Sequence, residues 1–113
     1  MSWKICTDEH FMNQENIFPT AQEDVLKIIQ NARELPDIEK IIVFGSATKS
    51  TYTFWKSDID ICVFQSGTSH VSELLKGIEH SIDCIPSTVL NNALRAEVMK
   101  GVVVYDKNID GYI

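Results

Sequence analysis

Ile41-Ile42-Val43-Phe44-Gly45-Ser46 and, after a polar loop, Ser57-Asp58-Ile59-Asp60-Ile61-Cys62-Val63-Phe64 are the two stretches that decide how this chain is read. Both contain apolar runs too short for helices, so they read as neighbouring buried strands. The first run ends in a glycine-serine turn. Gly45 permits backbone conformations closed to other residues and lets an anion approach the chain. Ser46 adds a hydroxyl, and a helix starting just beyond it would aim its free N–H groups at the same anion. The second run opens with two carboxylates. Side chains at i and i+2 of a strand share a face, so Asp58 and Asp60 stand about 7 Å apart along the strand. They repel one another unless a cation lies between them, and a hard divalent ion such as Mg²⁺, which favours oxygen ligands, answers that need. The other reading of Asp58 and Asp60 is a solvated strand end. Against it, Asp60 alternates with Ile59 and Ile61 inside the strand, where an unpartnered carboxylate is costly. A phosphate cradle beside paired carboxylates reads as nucleotide chemistry.

Around this centre the chain reads as a single domain over residues 1–113, without repeats, low-complexity tracts or a linker. Residues 1–18 form an N-terminal extension of mixed, non-periodic composition, either a short helix or an arm. Thr20 and Glu23 have the form of a capping box. A helix is predicted over residues 21–34, with Val25, Leu26, Ile28, Ile29 and Ala32 on one face, stopping before Pro36. Strands are predicted at 41–44, 59–64, 82–85 and 102–105. A turn is expected around Ser66-Gly67-Thr68, a short helix over 71–76 ending near Gly77, and a second helix opening at Ser87 and closing at Gly101. The pattern implies an α+β fold: a small mixed β-sheet with helices packed on one face.

Composition narrows the function. The 113 residues are 44% hydrophobic and 23% charged, as in an ordinary globular domain. No apolar run approaches membrane-helix length. The stretch Met1 to Asp8 lacks the apolar core of a signal peptide, so a cytoplasmic protein is expected. Cys6, Cys62 and Cys84 are an odd set and read as reduced thiols. A net charge of −6, with no basic run, argues against gripping nucleic acid, which depends on neutralising phosphates with Lys and Arg. A nucleotide remains compatible, since a divalent ion neutralises triphosphate and carboxylates together. His10, His70 and His80 have no partners at metal-ligand spacing and are read as incidental; Cys6-x-x-x-His10 is half a zinc motif.

Gly-Ser at the end of one strand and Ser-Asp-x-Asp opening the next resembles the signature of the nucleotidyltransferase superfamily typified by DNA polymerase beta. The likeness is greatest to the minimal nucleotidyltransferases, which are often paired with HEPN-domain proteins, and it extends over roughly residues 20–106. It implies the polymerase beta palm-like fold. It also implies a third acidic residue on a later strand, Asp83 in Ser81-Ile82-Asp83-Cys84, as general base or second-metal ligand. The site set is then Asp58, Asp60 and Asp83 for catalysis and a two-metal Mg²⁺ site, with Gly45, Ser46, Lys49 and Ser57 toward the nucleotide. The implied activity moves a nucleoside monophosphate, AMP from ATP or the equivalent from another nucleoside triphosphate, to a hydroxyl acceptor. The implied acceptor is a HEPN toxin, which would make this chain an antitoxin.

The chain also departs from the family pattern. Where relatives carry Arg or an aromatic residue after the serine, Ala47 stands here, and Ser50 occupies a usual glycine position. The loop is one residue longer and carries Tyr52, Phe54, Trp55 and Lys56. Lys49 and Lys56 are either phosphate contacts or solvated loop lysines, and Trp55 either stacks on a base, covers a partner contact or packs. Two rival functions follow: a degenerate, antitoxin-like binding module acting by contact, and a small-molecule nucleotidyltransferase of the antibiotic-modifying kind. An exposed sheet edge is compatible with a homodimer.

Overall fold

The computed structural model describes residues 2–67 and 70–110, and its centre is a four-stranded sheet. The strands are β1 (Ile38–Phe44), β2 (Ile59–Gln65), β3 (Ile82–Pro86) and β4 (Val102–Asp106), in the order β3-β2-β1-β4. β1 pairs antiparallel with β2 and with β4, whereas β2 and β3 run parallel. The sheet is therefore mixed, as the sequence implied. The predicted turn at Ser66-Gly67 is present as a bend with Gly67 at φ 73°, while Thr68 lies outside the described residues.

Three helices accompany it: α1 (Gln22–Arg33), α2 (Val71–Leu74) and α3 (Asn92–Met99). Val25, Leu26, Ile28, Ile29 and Ala32 recur at helical spacing and are all buried. They meet Ile41 and Val43 of β1, Ile61 and Val63 of β2 and Val104 of β4 in the main core. Each such side chain taken from water contributes roughly 1.5–3 kcal/mol, so α1 is held by its stripe, not by helix propensity. α2 joins this face through buried Leu74. α3 lies on the opposite face, where Val98 and Leu94 cover Ile42, Phe44 and Cys62. The one-face arrangement thus holds for α1 and α2, and α3 shields part of the other side. Alternation along β1 requires this, because Ile42 and Phe44 point away from Ile41 and Val43.

Local starts and stops differ from the sequence reading. Thr20 does not cap α1: it sits inside a 3₁₀ turn, Pro19–Ala21, which feeds straight into the helix, and Ala21 at the cap position makes no side-chain bond. Ser87 opens only a 3₁₀ turn, Ser87–Val89. α3 starts one turn later, where the Asn91 side chain accepts a 2.8 Å hydrogen bond from the Leu94 N–H; asparagine is a strong cap. Gly101 then lets the chain turn back closely, since a Cβ there would lie 2.6 Å from the Val43 carbonyl oxygen.

The N-terminal segment is neither a free arm nor a helix of any length. Phe11 and Ile17 enter the core, and Gln14 and Gln22 are buried. Gln22 Oε1 accepts from the Cys6 N–H (2.7 Å) and from Gln14 Nε2 (3.0 Å), while Gln22 Nε2 donates to the Lys4 and Ile17 carbonyls. Polar side chains this deep are tolerable only when satisfied, so the network fixes the segment's path. Asn13, in the left-handed region at φ 58°, donates its amide to the Val103 carbonyl at 2.8 Å. The Phe18 N–H donates to the Ala47 carbonyl at 2.8 Å, bracing the glycine-serine turn from behind. The three cysteines are free thiols. Burial raises the Cys62 thiol, and burial, Asp83 and Cys62 push Cys84 up to about 11. Among the described residues no helix is long and apolar enough to cross a membrane.

Candidate active site

Gly45 ends β1 with φ +74°, a conformation that L side chains rarely adopt, and opens a single 3₁₀ turn, Gly45–Thr48. The turn is closed by the Thr48 hydroxyl donating to the Gly45 carbonyl at 2.7 Å and by the Lys49 N–H donating to the Ser46 carbonyl at 2.9 Å. It is one turn rather than the start of a longer helix, so it presents only a few N–H groups. The Ser46 hydroxyl donates to the Asp58 carbonyl at 3.3 Å, tying the turn to the residue that leads into β2.

The strand register assembles the carboxylates. Phe44 pairs with Asp60, which places Asp60 beside the end of β1 and Gly45. Asp60 in turn pairs with Asp83 across the parallel β2–β3 ladder. Asp60 has the parity of Cys62 and Asp83 that of Ile85, both of which pack on the α3 side of the sheet, so the two carboxylates share that face. Neighbouring strands lie only about 4.8 Å apart. Asp58 precedes the strand and is exposed, as is Asp83, whereas Asp60 is half-buried. Burial, followed by the negative charges of Asp83 and Asp58, raises the Asp60 carboxyl above the usual carboxylate range. None of the three pairs with a basic side chain among the described residues. A Cβ on Gly45 would meet Asp60 Oδ2 at 2.5 Å, so the glycine makes room for this carboxylate as well as for the turn.

Three carboxylates without a counter-ion are the donor chemistry of a hard divalent cation. Among the described residues, however, no three His, Cys, Asp or Glu side chains gather into a cluster that would hold a metal as they stand. The other residues proposed for the nucleotide are less engaged. Lys49 and Lys56 are exposed loop lysines. Ser57 closes the loop on itself: its hydroxyl accepts from the Thr53 N–H at 3.0 Å and its N–H donates to the Thr53 carbonyl at 2.8 Å. Ala47 is fully buried against the N-terminal segment. Tyr52 and Phe54 pack inward, while Trp55 stays 89% exposed and rests on Phe54 with ring centroids 4.7 Å apart.

Two of the three histidines, His70 and His80, are held by hydrogen bonds. His70 Nε2 meets Asp37 Oδ2 at 3.0 Å. His80 Nδ1 meets Asp24 Oδ2 and the Tyr52 hydroxyl, each at 3.1 Å. Burial, then Asp24, then Asp58 push the Tyr52 phenol up to about 12, so it stays protonated as a hydrogen-bonding group. The sequence held no signal for this cluster, because α1, the loop and the approach to β3 each supply one member.

The chain is similar to a crystal structure from Sulfolobus solfataricus, whose protein is named only as a candidate nucleotidyltransferase. It is 21% identical, with a TM-score of 0.47, over 80% of this chain and 91% of that one. No curated protein matches the sequence. The family profile described as "Polymerase beta, Nucleotidyltransferase" matches residues 26–110, from within α1 to the end of the described chain, and so spans every carboxylate of the site. The chain belongs to the polymerase beta nucleotidyltransferase family.

Proposed function

We propose that this chain transfers a nucleoside monophosphate, AMP from ATP in the first instance, to an acceptor hydroxyl, the hydroxyl oxygen bonding to the α-phosphorus as pyrophosphate leaves, with Mg²⁺ held by Asp58, Asp60 and Asp83. The observation that carries the reading is the register that sets Asp60 opposite Asp83 on parallel strands, with Asp60 raised by burial and by its two acidic neighbours. Like charges held together at one end of a sheet destabilise the empty fold, a cost with a purpose only if a cation joins them. Mg²⁺ bound there would neutralise the triphosphate and lower the pKa of the acceptor hydroxyl. The chain's own part is positional. Gly45 leaves room for the Asp60 carboxylate, and the Gly45–Thr48 turn offers backbone N–H groups to the phosphates. In this reading Asp83, on the outer strand, takes the acceptor's proton, a role that rests on the family resemblance. Orientation and fixed charge then supply most of the rate.

The proposal extends to the partner. Resemblance to the minimal nucleotidyltransferases suggests a HEPN-domain protein as the acceptor, silenced when its hydroxyl is modified, and this chain as its antitoxin. The test of the chemistry is thermal stability with each nucleoside triphosphate, with and without Mg²⁺, for the wild type and Asp58→Asn/Asp60→Asn. Ligand at about 100 times its dissociation constant adds roughly 2.7 kcal/mol, or about 10 °C for a domain of this size. The expected result is a Mg²⁺-dependent shift with one triphosphate that the double variant loses. No shift with any triphosphate at millimolar concentration would replace this reading with that of a module acting by contact alone. For the partner, an added nucleotide mass on a co-expressed HEPN protein is the expected finding.

A further inference from the structure

A cleft of about 650 Å³ opens between the start of α1, the loop before β2 and the approach to β3. One wall is aromatic: Trp55 lies on Phe54, whose ring lies 4.9 Å from that of His80. Glu23 and Asp24 from the first turn of α1 and Glu79 also line the cleft, with Asp24 held by His80 at 3.1 Å. Lys27 is the one lysine or arginine lining it among the described residues, and it makes no ion pair with these three carboxylates. An indole left in water at 89% exposure, next to Glu23 and Glu79, which make no ion pair among the described residues, in a hollow of ligand-pocket size, has the makings of a cation site.

We propose that this cleft docks a basic side chain, an arginine in particular, of a partner protein. A guanidinium stacks flat on an indole face and also forks toward a carboxylate, which an ammonium does less well. Charge complementarity selects the occupant: the two glutamates Glu23 and Glu79 against one lysine in the cleft, with Asp24 already held by His80, on a chain of net charge −6. Nucleic acid is repelled by the same field. The cleft is tied through the backbone to the strands that carry the acids: Trp55 precedes Asp58 by three residues, and the Ser81 carbonyl at the cleft, two residues before Asp83, accepts the Ile59 N–H at 3.1 Å.

The test needs neither nucleotide nor Mg²⁺, so it can fail without touching the transfer proposal, and the reverse also holds. Trp3→Phe leaves Trp55 as the fluorescent reporter. This protein is titrated with the peptide acetyl-Ser-Gly-Arg-Gly-Ser-amide and with the same peptide carrying citrulline, the neutral isostere of arginine. Calorimetric titration of the unsubstituted protein provides the same comparison without the reporter change. The expected result is saturable binding of the arginine peptide, about tenfold weaker with citrulline. Trp55→Ala and Glu23→Gln/Glu79→Gln should weaken the arginine peptide alone, and Lys27→Gln should tighten it. Equal titration by both peptides, or no saturation at millimolar peptide, overturns the proposal. Saturation by adenosine in place of the arginine peptide also overturns it and assigns the cleft to a nucleobase.

Discussion

Replacing Gly45 with alanine tests the contact on which the site geometry rests. Gly45 has φ +74°, and a Cβ there would lie 2.5 Å from Asp60 Oδ2. Two separable costs follow. A left-handed backbone costs an L residue about 1–2 kcal/mol, and turning the half-buried Asp60 carboxyl off its rotamer costs about 0.5–1.5 kcal/mol. Together they amount to roughly 2–3 kcal/mol, within the ~5–15 kcal/mol of a typical domain. The variant therefore folds, with a midpoint about 10 °C lower. Urea unfolding of Gly45→Ala, Asp60→Ala and the double variant, extrapolated linearly to water, separates the two costs. With Asp60 truncated the backbone cost remains and the steric cost disappears, so the cycle should show a coupling of about 0.5–1.5 kcal/mol. Strict additivity would refute the placement of the Asp60 carboxyl against Gly45, and with it the glycine's part in the site. Gly101→Ala is the control. Its Cβ would meet the Val43 carbonyl at 2.6 Å, a backbone atom of β1 that has nowhere to go, so its cost should not depend on residue 60.

Asp60→Asn should stabilise the metal-free protein while abolishing transfer. The Asp60 carboxyl titrates higher in the folded than in the unfolded chain. Between those two values the folded state binds more protons, so stability falls as pH rises through the window and the loss persists at neutral pH. Unfolding in EDTA from pH 4 to 8 should therefore show a shallower decline for Asp60→Asn than for the wild type, and identical slopes would contradict the charge account. Gln22→Leu removes the partner of the Cys6 N–H, of one of the two bonds made by Gln14 Nε2, and of the Lys4 and Ile17 carbonyls, at about 1–3 kcal/mol for each group that is left buried and unpaired. Hydrogen exchange should then show residues 3–18 opening ahead of the sheet; uniform loss of protection would mean that the segment folds only as part of the whole.

The sheet and the carboxylates were legible because both obey short-range rules. Period-two alternation in Ile59 to Val63 fixes which side chains share a face, and the apolar run Ile41 to Phe44 has no other reading at its length. Asp83 could be placed only through resemblance, since nothing local says which strand lies beside β2; the parallel register supplies that. Helix starts failed where local chemistry was overruled. Thr20 and Glu23 look like a capping box, yet Pro19 begins a 3₁₀ turn that runs directly into α1 and leaves Thr20 no cap position. Ser87 follows the end of β3 and turns once before Asn91 caps α3. The N-terminal segment was opaque for a different reason. Its anchors, Gln14 and Gln22, are polar residues that bury only because each finds the other, and a pairing of that kind has no period. The His80 cluster is hidden in the same way, since Asp24, Tyr52 and His80 are 28 or more residues apart in sequence.

These two opaque features bear on how the site is kept. Asp58, Asp60 and Asp83 repel one another in the empty protein, and the softest response would be for the Gly45–Thr48 turn and the loop after it to swing away, relaxing the cradle. Three contacts oppose that motion from the far side. The Phe18 N–H holds the Ala47 carbonyl, Phe18 packs against Tyr52 with ring centroids 5.7 Å apart, and the Tyr52 hydroxyl meets His80 at 3.1 Å. Ala47 fits this role where a longer side chain would not, because it is fully buried under the turn. The departure from the family pattern at that position is thus matched by a brace from the N-terminal segment, which holds by packing a turn that a larger residue would have to hold by reaching. The proposed cation and triphosphate would then need no reorganisation of the backbone, which is the condition under which fixed charges lower a barrier most effectively.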